Sequence, residues 1–206
     1  WGVYWLPQRY LENGGLTGGW GTISQMMIGI LLLTPISLWR KFKGRSSGLE
    51  IPFVGFLTGS GFICYALSFL LTDVVRALIM FYMIPVWTTI FEIIFLKKRP
   101  GLERVLTLGL ALGGLWIVFS KSNIVPLPQN AGDWLALVGG VLFGGGLIRL
   151  EITKTDGVFP VIFSFFFYGT IFNIFAGYIL KDYLGPVPPA EAFLSMLSLI
   201  HISEPT

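Results

Sequence analysis

Sulfur and imidazole chemistry are almost missing from this chain: its 206 residues carry one cysteine, Cys64, and one histidine, His201. Neither a disulfide framework nor a Cys/His metal site can be built from them. Charge is scarce too. Only 12% of the residues are Asp, Glu, Lys or Arg, against roughly 25% in an ordinary soluble domain, while 54% are hydrophobic and the mean hydropathy is +0.76. Such values predict an all-α, polytopic transmembrane helical bundle. The net charge of +3 does not indicate nucleic acid, because the basic residues cluster in short loops between apolar runs, where they orient a protein in a bilayer. No Walker motif is present to harness ATP, and no paired His/Asp or His/Glu helix motif to build an intramembrane enzyme. A non-enzyme without cofactor or metal is expected.

What the chain has in abundance is long apolar stretches. Trp1 to Pro7 reads as the end of a truncated first helix, and further spans are predicted near 20–39, 51–71, 74–96, 105–119, 134–150 and 159–180. An eighth begins near Ala190 and is too short to cross before the polar ending HISEPT, which reads either as a foreign tail or as native chain. Gly55-x-x-x-Gly59, and likewise Gly109, Gly113 and Gly114, mark faces where a neighbouring backbone can approach closely. The proline-containing connection at 123–132 separates a first five-helix repeat, 1–122, from a partial second one, 133–200, with 201–206 as the tail. KDYLGPVPP reads as a loop.

The fourth span, DVVRALIMFYMIPVWTTIFEIIFLKKRP, is unlike a plain lipid-facing helix. It holds Arg76 near one end, Pro85 in the middle, Glu92 near the other end and a basic cluster beyond it. Charges inside a span face protein or a watered cavity, or snorkel from its ends. On an ideal helix Arg76, Met80, Met83 and Trp87 share one face, and Tyr82, Pro85, Thr89 and Glu92 the opposite one. Arg76 and Glu92 lie about 24 Å apart along the axis, too far to pair in one straight helix. Pro85 is expected to kink the span. Two readings of Arg76, Met83 and Trp87 stand: they border a substrate route, the arginine attracting an anionic or zwitterionic solute and the indole stacking on it, or the arginine snorkels and the tryptophan packs. Glu92 is either a proton-coupling carboxyl, or a partner of Lys97 or Arg99, or a group that reaches the cytoplasmic headgroups. Arg149 and Glu151 read as an interfacial charge pair rather than a gate. Tyr4, Trp5, Tyr65 and Asn173 are further candidate cavity-lining groups.

One set of loops receives Arg40, Lys41, Lys43, Arg45, Lys97, Lys98, Arg99, Arg104, Arg149 and Lys154, and the other only Arg9, Arg76, Lys121 and Lys181. This asymmetry assigns loops 40–50 and 97–104 to the cytoplasm, in an integral, multi-pass protein of the cytoplasmic or plasma membrane. Five spans before the connection invert any second copy, a recurrent plan of secondary transporters. A shift of 142 residues superimposes the second span on the seventh and matches Gly2 with Gly144 and Gly15 with Gly157.

The run CYALSFLLTDVVRALIMFYMIPVWTTIFEIIFLKKRPGLERVLTLGLALGGLWIVFS resembles the third-to-fifth-span signature of the drug/metabolite transporter superfamily, the EamA-type permeases. Ala66-Leu67, the central Pro85, Leu96 and Gly113-Gly114 carry the likeness, with Trp1-Gly2 similar to a tryptophan-glycine pair in the first span. The resemblance implies ten helices in two inverted repeats, both ends cytoplasmic, and a central site for small solutes such as amino acids, metabolites, nucleotide sugars or toxic cations. One departure is plain: Lys97-Lys98 stand where many members place a glutamate after the leucine. Expected partners are the lipid bilayer, a small-molecule solute, a coupling proton and a second copy of the chain. The function expected is a secondary transporter by alternating access; the alternatives are a non-transporting membrane scaffold or assembly subunit and an intramembrane enzyme.

Overall fold

A computed structural model describes residues 13–16, 18–42, 50–122, 127–153, 157–189 and 191–192. Among them the chain is helical with no strands, as a sequence of apolar runs in a bilayer requires: a helix satisfies its own N–H and C=O groups where no water can. The helices are α1 (Gly19–Phe42), α2 (Glu50–Leu71), α3 (Val74–Phe81), α4 (Ile84–Phe91), a single π turn (Glu92–Leu96), α5 (Leu102–Ser122), α6 (Ala131–Ile152), α7 (Val158–Ile179) and the short α8 (Lys181–Leu184). Five stretches are long and apolar enough to cross a membrane: Gly19–Arg40, Glu50–Leu71, Val74–Leu96, Ala131–Ile152 and Val158–Ile179. The eighth span and the polar ending, apart from residues 191–192, lie outside the described residues.

The bundle is organised around α2, whose span is 72% buried against 28–33% for the other four. It lies between α6 and α7; α1 packs on α7, and α3 and α4 pack on α6. Burial of this kind demands narrow helices and quiet hydroxyls. A Cβ at Gly59 would fall 2.7 Å from the Gly169 nitrogen and 2.8 Å from the Phe165 oxygen, so the α2 and α7 backbones touch there. On the other side a Cβ at Gly61 would meet the Gly139 oxygen of α6 at 2.7 Å. The α2 hydroxyls return to their own helix: Thr58 donates to the Val54 carbonyl at 2.8 Å, Ser60 to Phe56 at 2.6 Å and Ser68 to Tyr65 at 2.6 Å. Ser164 of α7 donates instead to the Ile51 carbonyl, at 3.2 Å, across the interface.

Pro85 does more than kink the fourth span. It has no N–H for the carbonyl four residues back, and its ring crowds that carbonyl. The residue four back is Phe81, where α3 stops; Tyr82 and Met83 form a turn and α4 restarts with proline in its first turn. The freed end is accommodated by α6, because a Cβ at Gly140 would lie 3.0 Å from the Phe81 oxygen.

Two expectations need correction. KDYLGPVPP is not wholly a loop, since Lys181–Leu184 make one helical turn packed on α7. The glycines of α5 are not a packing face among the described residues. Nothing lies within 4 Å of a Cβ at Gly109, Gly113 or Gly114, and Leu106, Leu110, Trp116 and Ile117 of the same helix are exposed. Glycine removes a steric obstacle but supplies no attraction, so the motif alone cannot bring a partner.

The contrast is testable. Gly59→Leu must displace backbone, and it should lower unfolding free energy in mixed micelles by about 1–3 kcal/mol or prevent folding. Gly113→Leu should stay within about 0.5 kcal/mol of the parent. Equal penalties at the two sites would contradict the packing described.

Candidate functional site

Two polar clusters lie on opposite sides of the Pro85 break. The first begins at Asp73, which caps α3: its carboxylate accepts from the Val75 N–H at 2.9 Å. One turn on, Arg76 is buried rather than splayed toward solvent. Its Nε donates to both Asp133 oxygens, at 3.2 and 3.1 Å, its Nη2 bonds the same carboxylate, and Nη2 also donates to the Leu127 carbonyl at 3.0 Å. Asp133, in the first turn of α6, is fully buried. It accepts from the Thr72 hydroxyl at 2.6 Å and from the Gln129 N–H at 2.9 Å.

Asn130 completes this cluster. As the cap of α6 it accepts from the Asp133 N–H at 2.8 Å, and its own Nδ2 donates to Thr72 at 2.9 Å. Every oxygen of the buried carboxylate is therefore occupied, which is the condition under which a charge pair survives in apolar surroundings. The cluster ties the start of α3 to the start of α6, across the connection that precedes α6.

The second cluster grows from the break itself. Thr88 and Thr89 donate to the Pro85 carbonyl at 3.1 and 2.7 Å. Arg104, in the first turn of α5, donates to Thr89 at 3.0 Å and forms an ion pair with Glu92 at 2.6 Å. Glu92 thus pairs with neither Lys97 nor Arg99. The π turn explains the change of partner: the Glu92 carbonyl takes the Lys97 N–H, Lys97 adopts φ 54°, and the chain reverses through Pro100 and Gly101 to lay Arg104 beside Glu92. The Glu92 side chain is mostly buried and that of Arg104 is partly exposed.

Farther toward the same end, charges join separate elements. Lys98 pairs with Glu151 at 2.6 Å, and Arg149 with Glu50 at 3.1 Å. Arg149 and Glu151, expected as one interfacial pair, each bind a residue from another element.

The other candidate residues meet different neighbours instead of converging on one pocket. Met83 sits in the break. The Cβ of Trp87 packs at 3.3 Å from where a Cβ of Gly144 would be, and its buried Nε1 has no acceptor. Tyr65 is fully buried, its ring stacked on Phe81 at 4.0 Å between centroids. Asn173 is fully buried, accepts from the Tyr183 hydroxyl at 2.6 Å and leaves Nδ2 without a partner. Tyr4 and Trp5 lie outside the described residues. Among the described residues no three His, Cys, Asp or Glu side chains form a cluster able to hold a metal ion.

Asp133 and Arg104 are the residues that sequence reasoning missed. Asp133 did carry a signal: Asn130 three positions before an acid, at the edge of an apolar run, is a helix-start pattern that places the acid in the first turn.

The family model described as "EamA-like transporter family" matches residues 1–120. No curated protein and no solved structure matches the chain.

Removing one member of a buried pair strands the other. Asp133→Asn should cost about 3–5 kcal/mol in unfolding free energy, and adding Arg76→Gln should restore part of it. A double-mutant cycle in mixed micelles measures this; strictly additive losses would show that the pair is not coupled.

Proposed function

Because the chain belongs to the EamA-like transporter family, we propose that this integral, multi-pass membrane protein is a secondary transporter of a small metabolite or drug-like solute. It works by alternating access between inverted repeats. The observation that carries this reading is the break at Tyr82–Met83 flanked by two charge clusters on different helices. Alternating access needs two barriers that part at different times, and a span divided into two separately anchored halves can supply them. Arg76–Asp133 closes one side by holding α3 to α6. Glu92–Arg104 closes the other by holding the α4 end to α5. Packing of α1 on α7, the two spans related by the 142-residue shift, supports the repeat, since equivalent helices meet near a two-fold axis.

In this reading the Arg76, Met83 and Trp87 face opens onto the solute when the first cluster parts, with Tyr65 and Asn173 deeper in the path. Trp87 Nε1 and Asn173 Nδ2 support the assignment, being buried donors without acceptors. Glu92 is the proton-coupling group. Its carboxylate holds Arg104, so loss of that pair frees the start of α5 while the Thr88 and Thr89 hydroxyls remain on the Pro85 carbonyl. The basic loops 40–50 and 97–104 face the cytoplasm.

Flux in proteoliposomes tests the reading, using protein expressed from its intact reading frame and a broad panel of amino acids, metabolites and organic cations. A proton gradient should accelerate uptake of at least one solute, and Glu92→Gln should abolish that acceleration while gradient-independent exchange persists. Absence of flux for every solute would return the chain to the scaffold class. Undiminished acceleration in Glu92→Gln would remove the carboxyl from the coupling role.

A further inference from the structure

A groove of about 410 Å³ runs between α2, the α4–π segment and α6, away from both the break and the Arg76 cluster. Phe53 and Leu57 form one wall, Phe91 and Phe95 another, and Gly145 and Ile152 the floor. Arg149 is the lone polar side chain lining it. Its rim residues Phe53, Phe95 and Ile152 are exposed, so the groove opens sideways, toward what would be acyl chains in a bilayer.

We propose that this groove binds one tail of an acidic phospholipid, with the lipid phosphate held at the Arg149 end. Three features of the groove select that occupant. The groove is apolar along its length and has the size of small-molecule sites, which run about 300–1,000 Å³. Arg149 lines the groove with its side chain 41% exposed, its guanidinium 6.0 Å from the Phe53 ring centroid and paired with Glu50 through Nη2, so a cation is presented to the groove. Lys97, Lys98 and Arg99 directly follow the π turn that supplies Phe95 to the groove; Lys98 pairs with Glu151 and Arg149 with Glu50, which leaves this end of the chain with a net positive charge.

A phosphate is the anion that a bilayer supplies at this depth, and a basic pocket between helices on the basic side is where acidic headgroups bind. Gly145 keeps the floor low. A Cβ there would rest 3.6 Å from Phe91, so alanine fits, whereas a longer side chain would project into the groove. The proposal requires residence in a bilayer and is independent of whether the protein moves a solute.

Native mass spectrometry of the protein released from nanodiscs tests it, with phosphatidylglycerol and phosphatidylcholine at equal amounts. The parent should retain one phosphatidylglycerol in preference to phosphatidylcholine. Arg149→Gln should lower that preference about fivefold, the factor associated with one basic residue at an acidic membrane surface, and Arg149→Lys should keep most of it. Gly145→Leu should reduce retention of both lipids. Because the Arg149 and Glu50 side chains are 41% and 50% exposed, Arg149→Gln should leave folding intact, and the test stands even if Gly145→Leu misfolds. A photo-crosslinker at Phe95 should label lipid. Equal retention of the two lipids by the parent, an unchanged preference in Arg149→Gln, or a Phe95 crosslink to protein alone would overturn the proposal.

Discussion

A buried arginine paired with a buried aspartate is the constraint on which the rest of this structure depends. Neither charge is tolerable there by itself, and each is made so by the other and by Thr72, Asn130 and the Gln129 and Leu127 backbone. The pair also fixes topology. Arg76 belongs to the fourth span and Asp133 to the sixth, so satisfying the charges brings the second half of the chain against the first. With α6 held there, its glycines meet the proline break, and α2 becomes the enclosed centre. Such a pair adds little net stability over apolar residues of equal size. Its effect is to specify one arrangement.

Pro85 introduces the complementary weakness. A helix anchored at both ends and broken between them has no continuous hydrogen-bond ladder across the break. The structure compensates locally, with threonine hydroxyls on the proline carbonyl and Gly140 beside the Phe81 carbonyl. A static scaffold could use the same contacts.

The spans were legible because length and apolarity are properties of single segments: α1, α2, α6 and α7 lie within about three residues of the boundaries read from the sequence. Gly59 was legible as a close-contact position for the same reason. What sequence could not supply was the partner of each charge. Arg76 and Asp133 are 57 residues apart, and their meeting depends on how α6 packs. Arg104 escaped for a subtler reason: Lys97 and Arg99 are nearer Glu92 in sequence, but the π turn and the left-handed Lys97 carry them past it. The α5 glycines are the opposite case, a legible motif whose partner the described residues do not contain.

The central claim is that the α3–α6 contact opens and closes. Spin labels at Val75 and Leu127, both exposed residues flanking the Arg76–Asp133 cluster, with Cys64 replaced by alanine, would report it by pulsed dipolar spectroscopy in nanodiscs. Two distance populations are expected, with the longer one enriched in Asp133→Asn. A single distance distribution, unchanged by Asp133→Asn, would contradict it.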